Sequence, residues 1–293
     1  MKKLHDLIGN TPLVEISKIN TNPDVKIYGK LESQNPGGSV KDRAAYGMIS
    51  EAMKRGDIKP GDKLVEATSG NTGIALAMIA QSMGINMTLL MPENSTKERV
   101  LAMRAYGAEV ILTPAEKTIE YSRELAEEMS ENEGYYMLNQ FANADNYGMH
   151  VKTTGPEIWN DTKGQVTHFV SAMGTTGTIM GVSRYLKSKN ENIQIVGTQP
   201  TEGSSIPGIR RWSPEFLPKI FEKERVDQVI DVSESEARTM ARRLAKEEAI
   251  LAGMSSGGAL TAALKIAEKI DSGLIVFIVC DTGERYLSSD LFT

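Results

Sequence analysis

Several common chemistries are closed to this chain because their residues are missing. With 1 cysteine in 293 residues it can form no intrachain disulfide. Its three histidines, His5, His150 and His168, stand at no metal-ligand spacing, so no metal is expected. The formal net charge is -5 and no basic block occurs, which argues against nucleic acid or an anionic membrane as partner. The longest uninterrupted apolar run, LIVFIVC at 274–280, is far short of the roughly 18 residues of a membrane span. The opening MKKLHDLIGNTP is broken by Asp6, Gly9 and Asn10 and has no apolar core of a signal peptide, so a cytoplasmic location is expected. Also absent are G-x-G-x-x-G, G-x-x-x-x-G-K-[ST] and H-E-x-x-H. GMSSG at 253–257 has the form of a serine-hydrolase elbow, but no histidine follows Ser255, as that chain order requires.

What is present reads as α/β. Hydrophobic residues make up 40% and charged residues 24%, ordinary for a globular chain long enough for two packed units. Strand-like runs precede helix-like runs: DKLVEA before GIALAMIAQSMG, NMTLLMP before STKERVLAMRAYG, and VTHFVSA before TIMGVSRYLKSK. Ser233 and Glu236 cap a helix whose stripe is Ala237, Met240, Ala241, Leu244 and Ala245. GLIVFIVC at 273–280 has the character of a buried central strand. A boundary between two halves is expected near 141–150, where turn formers cluster. The segment 200–218, with four prolines and two glycines, has neither period, and its Arg210, Arg211 and Trp212 favour an ordered functional loop.

Three short motifs carry chemistry. In NPGGSVKDR at 35–43, Ser39 and Asp42 form an S-x-x-D cap, and the stripe Ala44, Ala45, Met48, Ile49, Ala52 and Met53 continues a helix. Lys41 then falls in the first turn, where the dipole disfavours a cation. On local grounds it is a solvated lysine, an anion trap, or an amine kept partly neutral. TSGNTG at 68–73 and GTTGT at 174–178 each follow a strand and open a helix, where exposed N–H groups converge on an anion. Singly, each is as consistent with a packing turn as with a ligand site.

Taken in order, NPGGSVKDR, TSGNTG and GTTGT resemble the cysteine synthase/cystathionine β-synthase family of fold type II pyridoxal phosphate enzymes. The resemblance runs from IGNTPLVEI at 8–16 through KTTGPEIW at 152–159 to RYLS at 285–288. Within the family, GTTGT, IPGIRRW at 206–212 and CD at 280–281 resemble the B type of cysteine synthase; the A type, using sulfide only, is the second reading.

The resemblance implies two three-layer α/β/α domains of tryptophan synthase β-like architecture, with mostly parallel sheets and pyridoxal 5'-phosphate in the cleft between them. It divides the chain into 1–36 plus 149–293, a large cofactor-binding domain, and 37–148, a smaller mobile domain. Lys41 would be the Schiff-base lysine, Asn71 would meet the cofactor 3'-oxygen, and Gly174, Thr175, Thr176, Gly177 and Thr178 would hold its phosphate. Ser255 would face the pyridine nitrogen, where a neutral hydroxyl favours β-elimination. Thr68, Ser69, Thr72 and Gln140 would bind the substrate carboxylate. Arg210, Arg211 and Trp212, with Cys280 and Asp281, would form a gate for an anionic sulfur donor; a surface salt bridge and an inert buried thiol are the plainer readings of the arginines and of Cys280. The implied reaction makes L-cysteine, or S-sulfocysteine, and acetate from O-acetyl-L-serine and sulfide or thiosulfate through an α-aminoacrylate, in a homodimer. A serine/threonine dehydratase shares this fold, and a catalytically silent binding module is the reading from another class.

Overall fold

The computed structural model describes residues 1–68 and 70–293. Its strands are β1 (Leu13–Glu15), β2 (Val25–Leu31), β3 (Lys63–Ala67), β4 (Asn86–Pro92), β5 (Glu109–Thr113), β6 (Tyr136–Met137), β7 (His168–Ala172), β8 (Gln194–Pro200), β9 (Gln228–Val232) and β10 (Gly273–Val279). Its α-helices are α1 (Lys41–Arg55), α2 (Asn71–Ser82), α3 (Lys97–Ala105), α4 (Thr118–Asn132), α5 (Ala144–Lys152), α6 (Thr154–Asp161), α7 (Gly177–Lys189), α8 (Glu234–Glu248) and α9 (Met254–Ala267). Among the described residues no helix is long and apolar enough to cross a membrane.

Two compact units result, one of residues 1–8 and 41–146, the other of residues 9–40 and 147–293. The dividing lines fall after residues 8, 40 and 146. Residues 1–8 pack with the smaller unit because Ile8 enters its core and the His5 ring stacks on Tyr46 at 5.3 Å.

The smaller unit holds a parallel sheet in the order β5-β4-β3-β6. Alternation along its strands feeds both faces. Leu64, Met87, Leu89 and Met91 pack with residues of α1, α2 and α3. Val65, Ala67 and Leu90 pack with Ala126 and Met129 of α4.

The larger unit holds a sheet in the order β1-β2-β10-β7-β8-β9, parallel except for the edge strand β1. The apolar run forms β10, which lies between β2 and β7 as a strand buried on both faces should. Ile275, Phe277 and Val279 share one core with α8 and α9. Val276 and Ile278 share the other with Ile158 of α6 and with Ile179, Met180, Val182 and Leu186 of α7. The cap of α8 is the reciprocal one read from sequence: Ser233 Oγ accepts the Glu236 N–H at 3.2 Å and Glu236 Oε2 accepts the Ser233 N–H at 2.7 Å.

Candidate active site

In the smaller unit, helix α1 opens at Lys41 itself. The lysine is therefore one position nearer the helix end than an Ser39 cap would put it. The backbone of Ser39 forms an antiparallel bridge with Asp281 in the larger unit, to which both residues belong. Ala44, Ala45, Met48, Ile49 and Ala52 are buried, so the stripe anchors the helix that carries Lys41.

The second motif leaves β3 and enters α2 with Asn71 as its first residue. Thr68, Thr72 and Gln140 are all at least 93% buried. Thr72 Oγ1 donates to Gln140 Oε1 at 3.0 Å, which joins the loop to the residue 68 positions on. Since Gln140 Oε1 is the accepting end, its amide N–H groups are the ones suited to a carboxylate. A Cβ on Gly73 would lie 2.6 Å from Met103 Cε and 3.0 Å from Thr68, so this glycine is set by the loop's packing on α3. Ser69 lies outside the described residues.

In the larger unit, GTTGT joins β7 to α7 and presents the N-terminus of a 13-residue helix. Thr176 has φ +70, a left-handed conformation that costs a β-branched residue about 1–2 kcal/mol. Its Oγ1 is buried and has no hydrogen-bond partner among the described residues. A Cβ on Gly174 would meet the Gly208 carbonyl at 2.9 Å, so the cup is held close to backbone by the long loop. Three bonds tie that loop down. Arg210 N–H donates to Met173 O at 2.8 Å, Trp212 Nε1 to Gly174 O at 2.9 Å, and Arg211 Nε to Pro200 O at 2.8 Å.

Ser255 is buried in the first turn of α9, and a Cβ on Gly208 would sit 3.5 Å from its Oγ. Arg211 also pairs with Asp231 on β9 at 2.5 Å, whereas Arg210 is exposed. Cys280 is half-buried; its N–H donates to Ser256 Oγ at 2.9 Å and its carbonyl accepts from Val40, the residue before Lys41. Asp281 is fully buried and accepts from Tyr286 Oη at 2.8 Å, which makes it an anchor of the chain end.

Over residues 4–281 the sequence matches the family described as pyridoxal-phosphate dependent enzyme. The chain belongs to this family. It is 55% identical over 287 residues to cysteine synthase B of Pseudomonas aeruginosa, covering 98% of this chain and 96% of that one. To cysteine synthase B of Escherichia coli it is 54% identical over 292 residues, covering 100% and 96%. Among solved structures, a cysteine synthase from Entamoeba histolytica shares 40% identity with a TM-score of 0.93, covering 100% of this chain and 90% of that one. An O-ureido-L-serine synthase shares 37% identity with a TM-score of 0.94, covering 100% and 95%.

The residues present fit the cofactor of this pyridoxal-phosphate family. A left-handed N-cap carries a buried hydroxyl with no partner among the described residues, at a helix N-terminus where a phosphate would accept from that hydroxyl and from the exposed N–H groups. Among the described residues no group of histidine, cysteine, aspartate and glutamate could hold a metal.

Three supporting residues escaped the sequence reading. Asn35 is buried and its side chain bonds Glu32 Oε2 at 2.8 Å, Ser39 O at 3.2 Å and the Gly9 N–H at 2.8 Å, so it shapes the loop before Lys41. His150 is 1% exposed and bridges Thr178 Oγ1 at 3.3 Å and Thr154 Oγ1 at 2.8 Å, bracing the cup from α5 and α6. Glu66 is buried at the end of β3 and bonds the Asn139 N–H at 2.9 Å. Only the Glu66 position gave a signal in the sequence, a charge inside the otherwise apolar strand LVEA.

Proposed function

We propose that this protein is a cysteine synthase that makes L-cysteine and acetate from O-acetyl-L-serine and sulfide. The observation that carries the reading is identity of 54–55% to cysteine synthase B over nearly the full chain, with Lys41 at the head of its helix. By the family resemblance, Gly174, Thr175, Thr176, Gly177 and Thr178 would hold the cofactor phosphate, with Asn71 and Ser255 meeting its ring. When bound, pyridoxal phosphate supplies an electron sink for the bonds at the amino acid's Cα. Thr68, Thr72 and Gln140, with Ser69, bind the α-carboxylate and fix Cα beside Lys41. The amine of Lys41 takes the Cα proton as acetate leaves Cβ, and returns it once sulfur has bonded there.

The B-type features extend the reading to thiosulfate, which would give S-sulfocysteine, with exposed Arg210 as the gate's anion-attracting residue. Arg211, Trp212 and Asp281 have structural partners of their own, so Arg210 is the member whose charge is available to a donor. The family resemblance also supports a homodimer and a cytoplasmic location. Addition of O-acetyl-L-serine alone tests the reaction. A cysteine synthase shows a long-lived change in visible absorbance that sulfide discharges into cysteine, whereas prompt pyruvate release without sulfide would make the protein a dehydratase.

A further inference from the structure

We propose that Glu66 is a positioning residue for the substrate's α-carboxylate, its side chain fixing the Asn139–Gln140 backbone so that Gln140 and Thr72 meet that group together. The proposal rests on the function above for the nature of the ligand. Its geometry is internal to the smaller unit. Glu66 stands two residues before Thr68 on β3 and is 1% exposed. Its carboxyl accepts the Asn139 N–H at 2.9 Å, on the residue that precedes Gln140. Asn139 has φ +54, and its carbonyl accepts the N–H groups of Ala142 and Asn143 at 3.0 Å each. Backbone N–H groups beside a left-handed residue favour an anion, and here a protein carboxyl takes the Asn139 N–H. Gln140, placed by that turn, gives its carbonyl to Asn146 Nδ2 at 2.8 Å and its Oε1 to Thr72. The chain of contacts thus runs from Glu66 through one residue of backbone to the pair that faces the ligand.

A buried carboxyl is expensive, and leaving the Asn139 N–H without an acceptor is expensive too; each offsets the other here. Burial raises Glu66 to about 7, and the bond from the Asn139 N–H opposes that rise. The elements packed against it add little charge. β4 carries no titratable residue, β6 contributes Tyr136, and from α4 it is Arg123, lying over the Phe141 ring, whose charge favours the ionised form. The strength with which the turn is held therefore changes across neutral pH.

The test compares holoenzyme of wild type and Glu66→Gln between pH 6 and 9. It reads cofactor loading, kcat and KM for O-acetyl-L-serine, and the dissociation constant of L-alanine, which has the α-carboxylate but no leaving group. We expect Glu66→Gln to load cofactor normally and keep kcat within about threefold, while KM and the L-alanine constant both rise roughly five- to tenfold. Wild-type affinity should improve as pH rises through about 7, and that inflection should be missing from the variant. An unchanged KM with the wild-type inflection retained, or an equal loss of kcat, affinity and cofactor, would overturn the proposal. If wild type binds L-alanine yet forms no cysteine, the proposed function fails while the L-alanine constants still decide the role of Glu66.

Discussion

The buried stripe of α1 anchors the helix that carries Lys41, and the loop before it is tied down as well. Asn35 gathers Gly9, Glu32 and Ser39 around one amide, and Val40 is bonded to Cys280, so the chain has little freedom as it enters α1. Asn35→Ala should therefore lower kcat more than a surface substitution would, with cofactor still attached; removing its four side-chain bonds costs about 1–3 kcal/mol of stability, readable in a denaturant melt. Thr176 gives the complementary case. Thr176→Val keeps the branched side chain, and so the backbone strain, but deletes the hydroxyl that has no partner among the described residues. The apo protein should be as stable as wild type or slightly more so, while cofactor affinity falls about tenfold, as expected for one hydrogen bond to a charged group. A drop in apo stability instead would mean the hydroxyl serves the fold.

At the scale of elements, the proposed gate role of the loop from 200 to 213 can be separated from its structural one. Trp212 and the Arg210 backbone hold the strand end that leads into the cup, and Arg211 straps the loop to β9. Trp212→Phe keeps the ring and loses the bond to Gly174, so it should weaken cofactor binding several-fold while the ratio of thiosulfate to sulfide use stays constant. Arg210→Ala should do the reverse, lowering kcat/KM for thiosulfate and leaving sulfide alone. Steady-state rates with each donor check both, and unchanged thiosulfate use in Arg210→Ala would contradict a role for that residue as gate.

Elements also show what could be read in advance. β10 announced itself through an unbroken apolar run, and α8 through a reciprocal cap three residues apart, because both signals are local. The two-residue strand β6 and the supporting residues Asn35 and His150 gave none. Their roles depend on partners brought near by the fold, Gly9 for the one and Thr178 for the other. Trp212 suggested an ordered loop, but nothing in the sequence pointed to the Gly174 carbonyl as its acceptor. The Ser39–Asp42 pattern placed the start of α1 within one residue, whereas the backbone bridge from Ser39 to Asp281 is encoded by no local pattern.

For the whole molecule, Glu66 links stability to pH. Its carboxyl is raised from 4.5 to about 7 in the folded protein, so between those values the native state holds a proton that the unfolded chain has lost. Native stability therefore declines as pH rises from about 4.5 to about 7, by up to about 3 kcal/mol from this residue, and levels off above. Glu66→Gln should flatten that part of the pH-stability curve in denaturant melts. The central claim, though, is that Lys41 carries the cofactor for cysteine synthesis. Borohydride reduction of the coloured holoenzyme followed by peptide mapping, run beside cysteine production by wild type and Lys41→Ala, tests it most directly. The account predicts a pyridoxyl group on the Lys41 peptide and a roughly 10²–10⁴-fold loss of cysteine formation in the variant. A label on another lysine, or undiminished cysteine formation by Lys41→Ala, would contradict it.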